Sequence, residues 1–154
     1  MPSLPATTSR VRHASSDAAN RRVEADIARR AAFFAEHPEL IGRRLWELER
    51  EWDTERVLEA NAATLALGGT VLGILEDRRF LALPLIVTAF LLQHALQGWC
   101  PPLPVLRRLG VRTAREIERE RVALKALRGD FAAVETSAGG EGTTRADAAL
   151  RAAS

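Results

Sequence analysis

The stretch that decides the fold covers positions 60–106 and reads ANAATLALGGTVLGILEDRRFLALPLIVTAFLLQHALQGWCPPLPVL. Two charge-free apolar runs, 60–75 and 80–106, are separated only by the four charged residues 76–79. As helices, the first run would be about 24 Å long and the 80–99 part of the second about 30 Å long. The hydrocarbon core of a bilayer is about 30 Å thick. The pattern therefore predicts a helical hairpin inserted in a membrane.

Averaged over the whole chain, the composition hides this segregation. The 154 residues are 47% hydrophobic and 27% charged, with a formal net charge of +2, and such averages are typical of a soluble domain. Acidic residues alternate with the arginines, so no basic surface for nucleic acid is predicted. The single cysteine, Cys100, excludes an internal disulfide framework and a cysteine cluster for zinc. The sequence predicts no nucleic-acid partner, no metal and no other cofactor.

Amphipathic helices are predicted on both sides of the hairpin, which gives an all-α fold. Residues 17–36 place apolar side chains at helical spacing. Residues 38–59 repeat this pattern from Pro38 and run without a breaker into the first apolar run. The two apolar stripes are Val23, Ile27, Ala31 and Phe34, and then Ile41, Leu45, Leu48 and Trp52.

The hairpin is assigned to residues 60–100, and the segments after it are shorter. A Pro-rich connector at 101–113 leads to a C-terminal helix at 114–129, with Thr113 as its N-cap and Gly129 as its stop. The polar, small-residue ends at 1–16 and 130–154 are predicted to be a disordered leader and a disordered tail.

Small residues mark one face of the first apolar run. In lipid, such residues let two helix backbones approach closely. The face can serve as the seam of a homodimer, or it can contact the second helix of the same hairpin. We expect a homodimer with this face in its seam. The face consists of Ala62, Ala66, Gly69 and Gly73.

A candidate polar site lies at the end of the second run, where Gln93, His94, Gln97 and Cys100 follow one another. Ionisable residues within membrane segments often handle protons or ligands. These residues are close to Trp99, however, and aromatic residues mark the headgroup level, which favours simple interfacial hydrogen bonding. Cys100 needs a base to act as a nucleophile. His94 is nearly two turns away with no acid beside it, so an ordinary packed cysteine is favoured.

Arginines next to the apolar runs predict the topology. The positive-inside rule counts basic residues near the ends of membrane helices and nearly ignores acids. Both termini should therefore be cytoplasmic, in an inner membrane, although Arg78 and Arg79 in the link reduce the asymmetry. The residues that set the topology after the second run are Arg107, Arg108, Arg112 and Arg115.

Two short motifs follow the second run: Gly-Trp-Cys-Pro at 98–101 and Leu-Gly-Val-Arg-Thr at 109–113. Together with two short apolar helices, this arrangement resembles the YgaP-like transmembrane domain family over about residues 55–113. The connector is longer than usual, with extra prolines, and lacks an aromatic residue often found there. The resemblance implies a two-helix membrane module that dimerises through its helices and in some members is fused to a rhodanese domain. This sequence has no rhodanese-like segment, so that activity does not transfer to Cys100.

The functional expectation is a non-enzymatic integral membrane protein, a hairpin dimer that acts as an anchor or interaction module. Its partners would be the lipid bilayer, a second copy and an unidentified protein. One alternative is a soluble or peripheral helical bundle in which the two apolar runs form the core. Another is a sulfur-handling or redox protein that uses Cys100.

Overall fold

The computed structural model describes residue 6 and residues 9–136 and 142–153. The regular structure of these residues is helical, without a strand, which confirms the all-α fold. Two 3-10 turns, Pro38–Leu40 and Arg78–Leu81, accompany the α-helices. In chain order the helices are α1 (Arg10–His13), α2 (Asp17–Glu36), α3 (Ile41–Arg50), α4 (Thr54–Leu75), α5 (Ala82–Gln97), α6 (Leu103–Arg108), α7 (Ala114–Arg128), α8 (Ala132–Thr136) and α9 (Gly142–Ala153).

The chain divides into two compact units, each made of two segments. The first unit comprises Met1–Val23 and Trp52–Arg115, and the second comprises Glu24–Glu51 and Glu116–Ser154. Two of the three boundaries fall inside α2 and α7, so these two helices contribute residues to both units, and the third falls between α3 and α4.

The α4–α5 hairpin is the largest part of the first unit. Asp53 caps α4 by accepting a hydrogen bond from the backbone N–H of Arg56 at 2.8 Å, which satisfies one of the free donors of the first turn. At the closed end of the hairpin, Asp77 accepts a bond from the N–H of Arg79 at 2.8 Å. Gly98 ends α5 in the left-handed region at φ +77°, where a side chain would be strained.

Two glycines allow α4 to approach the second arm of the hairpin closely. A Cβ atom at Gly69 would lie 2.7 Å from Cδ of Pro84, and one at Gly73 would lie 2.5 Å from Cδ2 of Leu81. Both glycines are buried. The small-residue face therefore packs within the chain at these positions, whereas its use as a homodimer seam stays a prediction.

Short segments pack at the open end of the hairpin. The N–H and the hydroxyl of Thr54, at the start of α4, both donate to the carbonyl of Arg112, at 2.8 and 3.0 Å. Arg107 in α6 is buried and donates to the carbonyl of Val111 and to Oδ1 of Asn20. The buried apolar cluster of this region consists of Val11, Leu58, Cys100 and Leu103.

Most of the hairpin surface is apolar and exposed. By length and composition, the stretches Pro38–Leu75 and Arg78–Gln97 are long and apolar enough to cross a membrane. The apolar part of the first stretch is residues 60–75 of α4. Only 17% and 6% of their apolar windows are buried. The core helix of a soluble bundle would be mostly buried, so α4 and α5 do not show the burial that the soluble-bundle alternative requires.

The second unit has its own core, and Glu120 is the most deeply buried charged side chain described there. The apolar stripe of α3 meets α7 in a cluster of Ile41, Leu45, Leu48, Ile117 and Leu124, with Phe34 of α2 against it. Glu120 of α7 is fully buried, and its carboxylate accepts hydrogen bonds from Arg30 at 3.2 Å and Arg44 at 2.8 Å.

Three segments differ from the sequence prediction. The helix expected at 38–59 is interrupted at 51–53, because Asp53 caps a new helix there and Trp52 lies half-exposed between the two. The expected disordered leader contains α1, whose Val11 is buried. The expected disordered tail contains α8 and α9, and the Lys125 ammonium donates to two carbonyls near the end of α9. Residues 1–5, 7–8, 137–141 and 154 lie outside the described residues.

Candidate functional site

A buried histidine forms the centre of the candidate site, at the open end of the hairpin. His94 lies in the last turn of α5 and is 2% exposed. Its Nε2 atom is 2.8 Å from Oε2 of Glu55, which lies in the first turn of α4. The first turn of one hairpin arm and the last turn of the other are at the same end, so the fold brings together residues that are 39 positions apart.

Arg10 completes this charged cluster from α1. Its guanidinium donates to Oε1 of Glu55 at 3.0 Å and to the carbonyl of Ala95 at 3.2 Å. The α1 backbone approaches Gly98 so closely that a Cβ atom there would lie 2.5 Å from the carbonyl carbon of Arg10. Gly98 is therefore required both for the turn and for the position of Arg10.

These contacts determine the charge state of Glu55, which lies before the apolar run of α4. The hydrogen bond from His94, together with the Arg10 guanidinium, holds the pKa of Glu55 below its ordinary value. An ionised carboxylate can only accept hydrogen bonds. The Nε2 atom of His94 must therefore carry a hydrogen and donate it to Glu55.

The other ring nitrogen of His94 faces a different environment. Among the described residues, Nδ1 has no aligned hydrogen-bond partner although it is buried. The thiol of Cys100, which is 4% exposed, is a close neighbour of the ring. Glu55, His94 and Cys100 thus have the order of an orienting carboxylate, a base and a nucleophile. The sequence-based expectation that no acid accompanies His94 is wrong, because α4 supplies one.

An apolar cavity of about 380 Å³ adjoins the imidazole and the thiol. This volume is in the range of small-molecule sites. Its walls come from the facing sides of α4 and α5 and from the segment after α5. The lining residues are Leu58, Asn61, Ala62, Leu65, Val87, Phe90, Leu91, His94, Cys100, Pro101 and Pro102.

The four residues of the predicted polar site do not stay together. His94 and Cys100 line the cavity, whereas Gln93 is half-buried and Gln97 is exposed, and neither lines it. Within the described part of the chain, no group of three His, Cys, Asp or Glu side chains is arranged to hold a metal ion.

The predicted helix-packing and topology residues have mixed environments. Ala62 and Ala66 are half-buried on the same helix as the two buried glycines. Arg108 and Arg115 are exposed, whereas Arg107 and Arg112 are buried. Part of the arginine cluster therefore stabilises the fold of the first unit.

Sequence reasoning missed Glu55 and Arg10. Glu55 could have been found from the hairpin itself, because a charged residue in the first turn of one arm must lie near the last turn of the other. Arg10 carried no such signal, since its segment has neither a long apolar stripe nor a motif.

Comparisons with protein-family models, with curated proteins and with solved structures give no match for this chain. Its function must therefore be inferred from its own geometry.

Proposed function

We propose that this chain is a non-enzymatic integral membrane protein whose α4–α5 hairpin lies in the bilayer and acts as an anchor or interaction module. The observation that carries the proposal is the exposure of large apolar side chains around α5, for example Leu85 at 70% and Leu92 at 62%. Contiguous apolar surface of this kind is costly in water and favourable in lipid.

The residues at the two ends of the hairpin also support a position in the bilayer. Trp52 precedes α4 and Trp99 follows α5, and both are exposed at the open end, where aromatic residues would meet the headgroups. The closed end carries the charged residues 76–79. The apolar run of α4, residues 60–75, is about 24 Å long, so Val57 and Leu58 would extend it or the bilayer would be thinner there.

The finer parts of the proposal come from the sequence. The arginines on both sides of the hairpin favour cytoplasmic termini in an inner membrane. The resemblance to the YgaP-like transmembrane domain family favours a homodimer. Because Gly69 and Gly73 are covered by the second arm of the hairpin, a dimer would have to use another part of the hairpin surface or rearrange this one.

The decisive experiment is membrane fractionation followed by alkaline carbonate extraction, with a matched pair of variants. Leu85→Arg places a charge on the exposed first turns of α5, which disfavours insertion, at the helix centre by about 2.5–3.5 kcal/mol and less towards its ends. Leu109→Arg changes a residue that is 75% exposed outside the hairpin. We expect the wild type and Leu109→Arg to stay with the membrane pellet and Leu85→Arg to be lost from it. A wild-type chain in the soluble fraction would establish the helical-bundle alternative.

The cluster of Glu55, His94 and Cys100 favours a second candidate function, thiol chemistry at Cys100. The base and the orienting carboxylate that such chemistry requires are both present. This function predicts that Cys100 reacts with an apolar alkylating reagent faster than a free thiol does, and that His94→Gln removes the difference. Equal rates for the two chains and the free thiol would contradict it.

A further inference from the structure

The cavity between α4 and α5 has one reactive end. Its walls are mainly aliphatic and aromatic, and its other polar lining residue, Asn61, donates its amide to the carbonyl of Val57 at 2.8 Å. The remaining polar groups of the lining are the imidazole of His94 and the thiol of Cys100. A ligand suited to this space has an apolar body and a single group that can react with a thiol.

The orientation of His94 makes proton transfer from the thiol feasible. Glu55 fixes the ring by accepting a hydrogen bond from Nε2 at 2.8 Å. In the neutral form of the ring, the remaining lone pair is on the buried Nδ1 atom, which has no aligned partner among the described residues. A base held in this way by a carboxylate can accept the proton of a neighbouring nucleophile.

We propose that Cys100 is an acylation site that accepts a long-chain acyl group from an acyl thioester, with the cavity holding the chain. The sulfur attacks the thioester carbonyl carbon while the thiol proton moves to Nδ1 of His94. The carbon–sulfur bond of the donor then breaks, and its departing thiolate takes the proton from His94. One thioester replaces another, so the step needs neither an oxidant nor a reductant.

A long acyl chain fits the site better than a small electrophile. The apolar walls contribute binding energy only to a chain that covers them. The inference rests on the proposed membrane location, because a hairpin in the bilayer meets long acyl chains. It does not require turnover, since a single transfer leaves the chain attached to Cys100.

The test uses the purified full chain in detergent micelles, with palmitoyl-coenzyme A as the long donor and acetyl-coenzyme A as the short one. Intact-mass spectrometry follows the gain of one acyl group and its removal by neutral hydroxylamine. We expect a clear preference for the long donor, no modification of Cys100→Ser, and a rate for His94→Gln about 100-fold lower, as for loss of a general base.

A matched pair of variants separates the role of the cavity from folding. Ala62→Leu fills part of the cavity, whereas Ala63→Leu adds the same side chain at an exposed position outside it. Ala62→Leu should slow the long donor more than the short one, and Ala63→Leu should affect neither. Absence of acylation, equal rates for both donors, or equal effects of the two variants would overturn the proposal. Carbonate extraction tests the membrane location separately, so failure of one can be told from failure of the other.

Discussion

At the scale of single residues, Glu120 shows how a fully buried charge is accommodated in the second unit. Its carboxylate is fully buried and lies between the guanidinium groups of Arg30 and Arg44. Burial of a charge is tolerated when it is paired, and removal of one partner leaves the other uncompensated.

We expect Glu120→Ala to destabilise the second unit by about 1–3 kcal/mol, because Arg44 loses its buried partner but keeps its ion pairs with Glu47 and Glu51. Hydrogen exchange of the α3 and α7 amides, read by mass spectrometry, measures this locally. The control is Arg43→Ala, which removes an exposed ion pair with Glu47 and should leave the exchange unchanged. Equal exchange in the two variants would show that the buried pair contributes little.

Single residues also show which contacts could be predicted from the sequence and which could not. The buried stripes of α3 follow directly from helical periodicity, which is local. The contacts of Glu55 with Arg10 and His94 join positions 45 and 39 residues apart, and no local pattern encodes such contacts. Cys100 was therefore interpreted with His94 as its candidate base but without the carboxylate of Glu55 that orients this base.

At the scale of helices, the length and apolar character of α4 and α5 were predictable because both runs are continuous. The break at 51–53 was not, since the chain has neither Gly nor Pro there. Asp53 ends up as an N-cap, but Asp is also compatible with a helix interior, so the residue type alone does not decide.

The close contact between the two arms of the hairpin predicts how the hairpin responds to a larger residue at Gly73. Gly73→Ala should destabilise the hairpin by about 1–3 kcal/mol, because the added Cβ would overlap Leu81 and approach its backbone nitrogen at 3.2 Å. Gly68→Ala, a neighbour with nothing described within 4 Å of its added Cβ, should be tolerated. Thermal unfolding in detergent, followed by circular dichroism, compares the two.

The same pair of positions tests how the small-residue face is used. If crosslinking shows that Gly73→Ala loses a homodimer but keeps the thermal stability of the wild type, then the face serves association between chains, as the sequence first suggested. Loss of stability in a monomeric protein would assign the face to the hairpin.

At the scale of the whole molecule, the distribution of arginines predicts which side of the membrane each end of the hairpin faces. Basic residues flank both arms near the open end, including Arg56 before the first run and Arg108 after the second. Two of the flanking arginines, Arg107 and Arg112, are buried and also stabilise the fold. If the open end is cytoplasmic, as the positive-inside rule predicts, the exposed arginines would face the negative surface of that leaflet.

The single cysteine makes this topology directly testable. In a Cys100→Ser background, Glu76→Cys labels the closed end of the hairpin and Ala126→Cys labels α7. We expect a membrane-impermeant maleimide to modify Glu76→Cys in intact spheroplasts and Ala126→Cys only after lysis, because the positive-inside rule keeps the arginine-bearing open end cytoplasmic. The reverse pattern would show that Arg78 and Arg79 in the link dominate. Labelling of both positions only after lysis would mean that the hairpin enters the bilayer without crossing it.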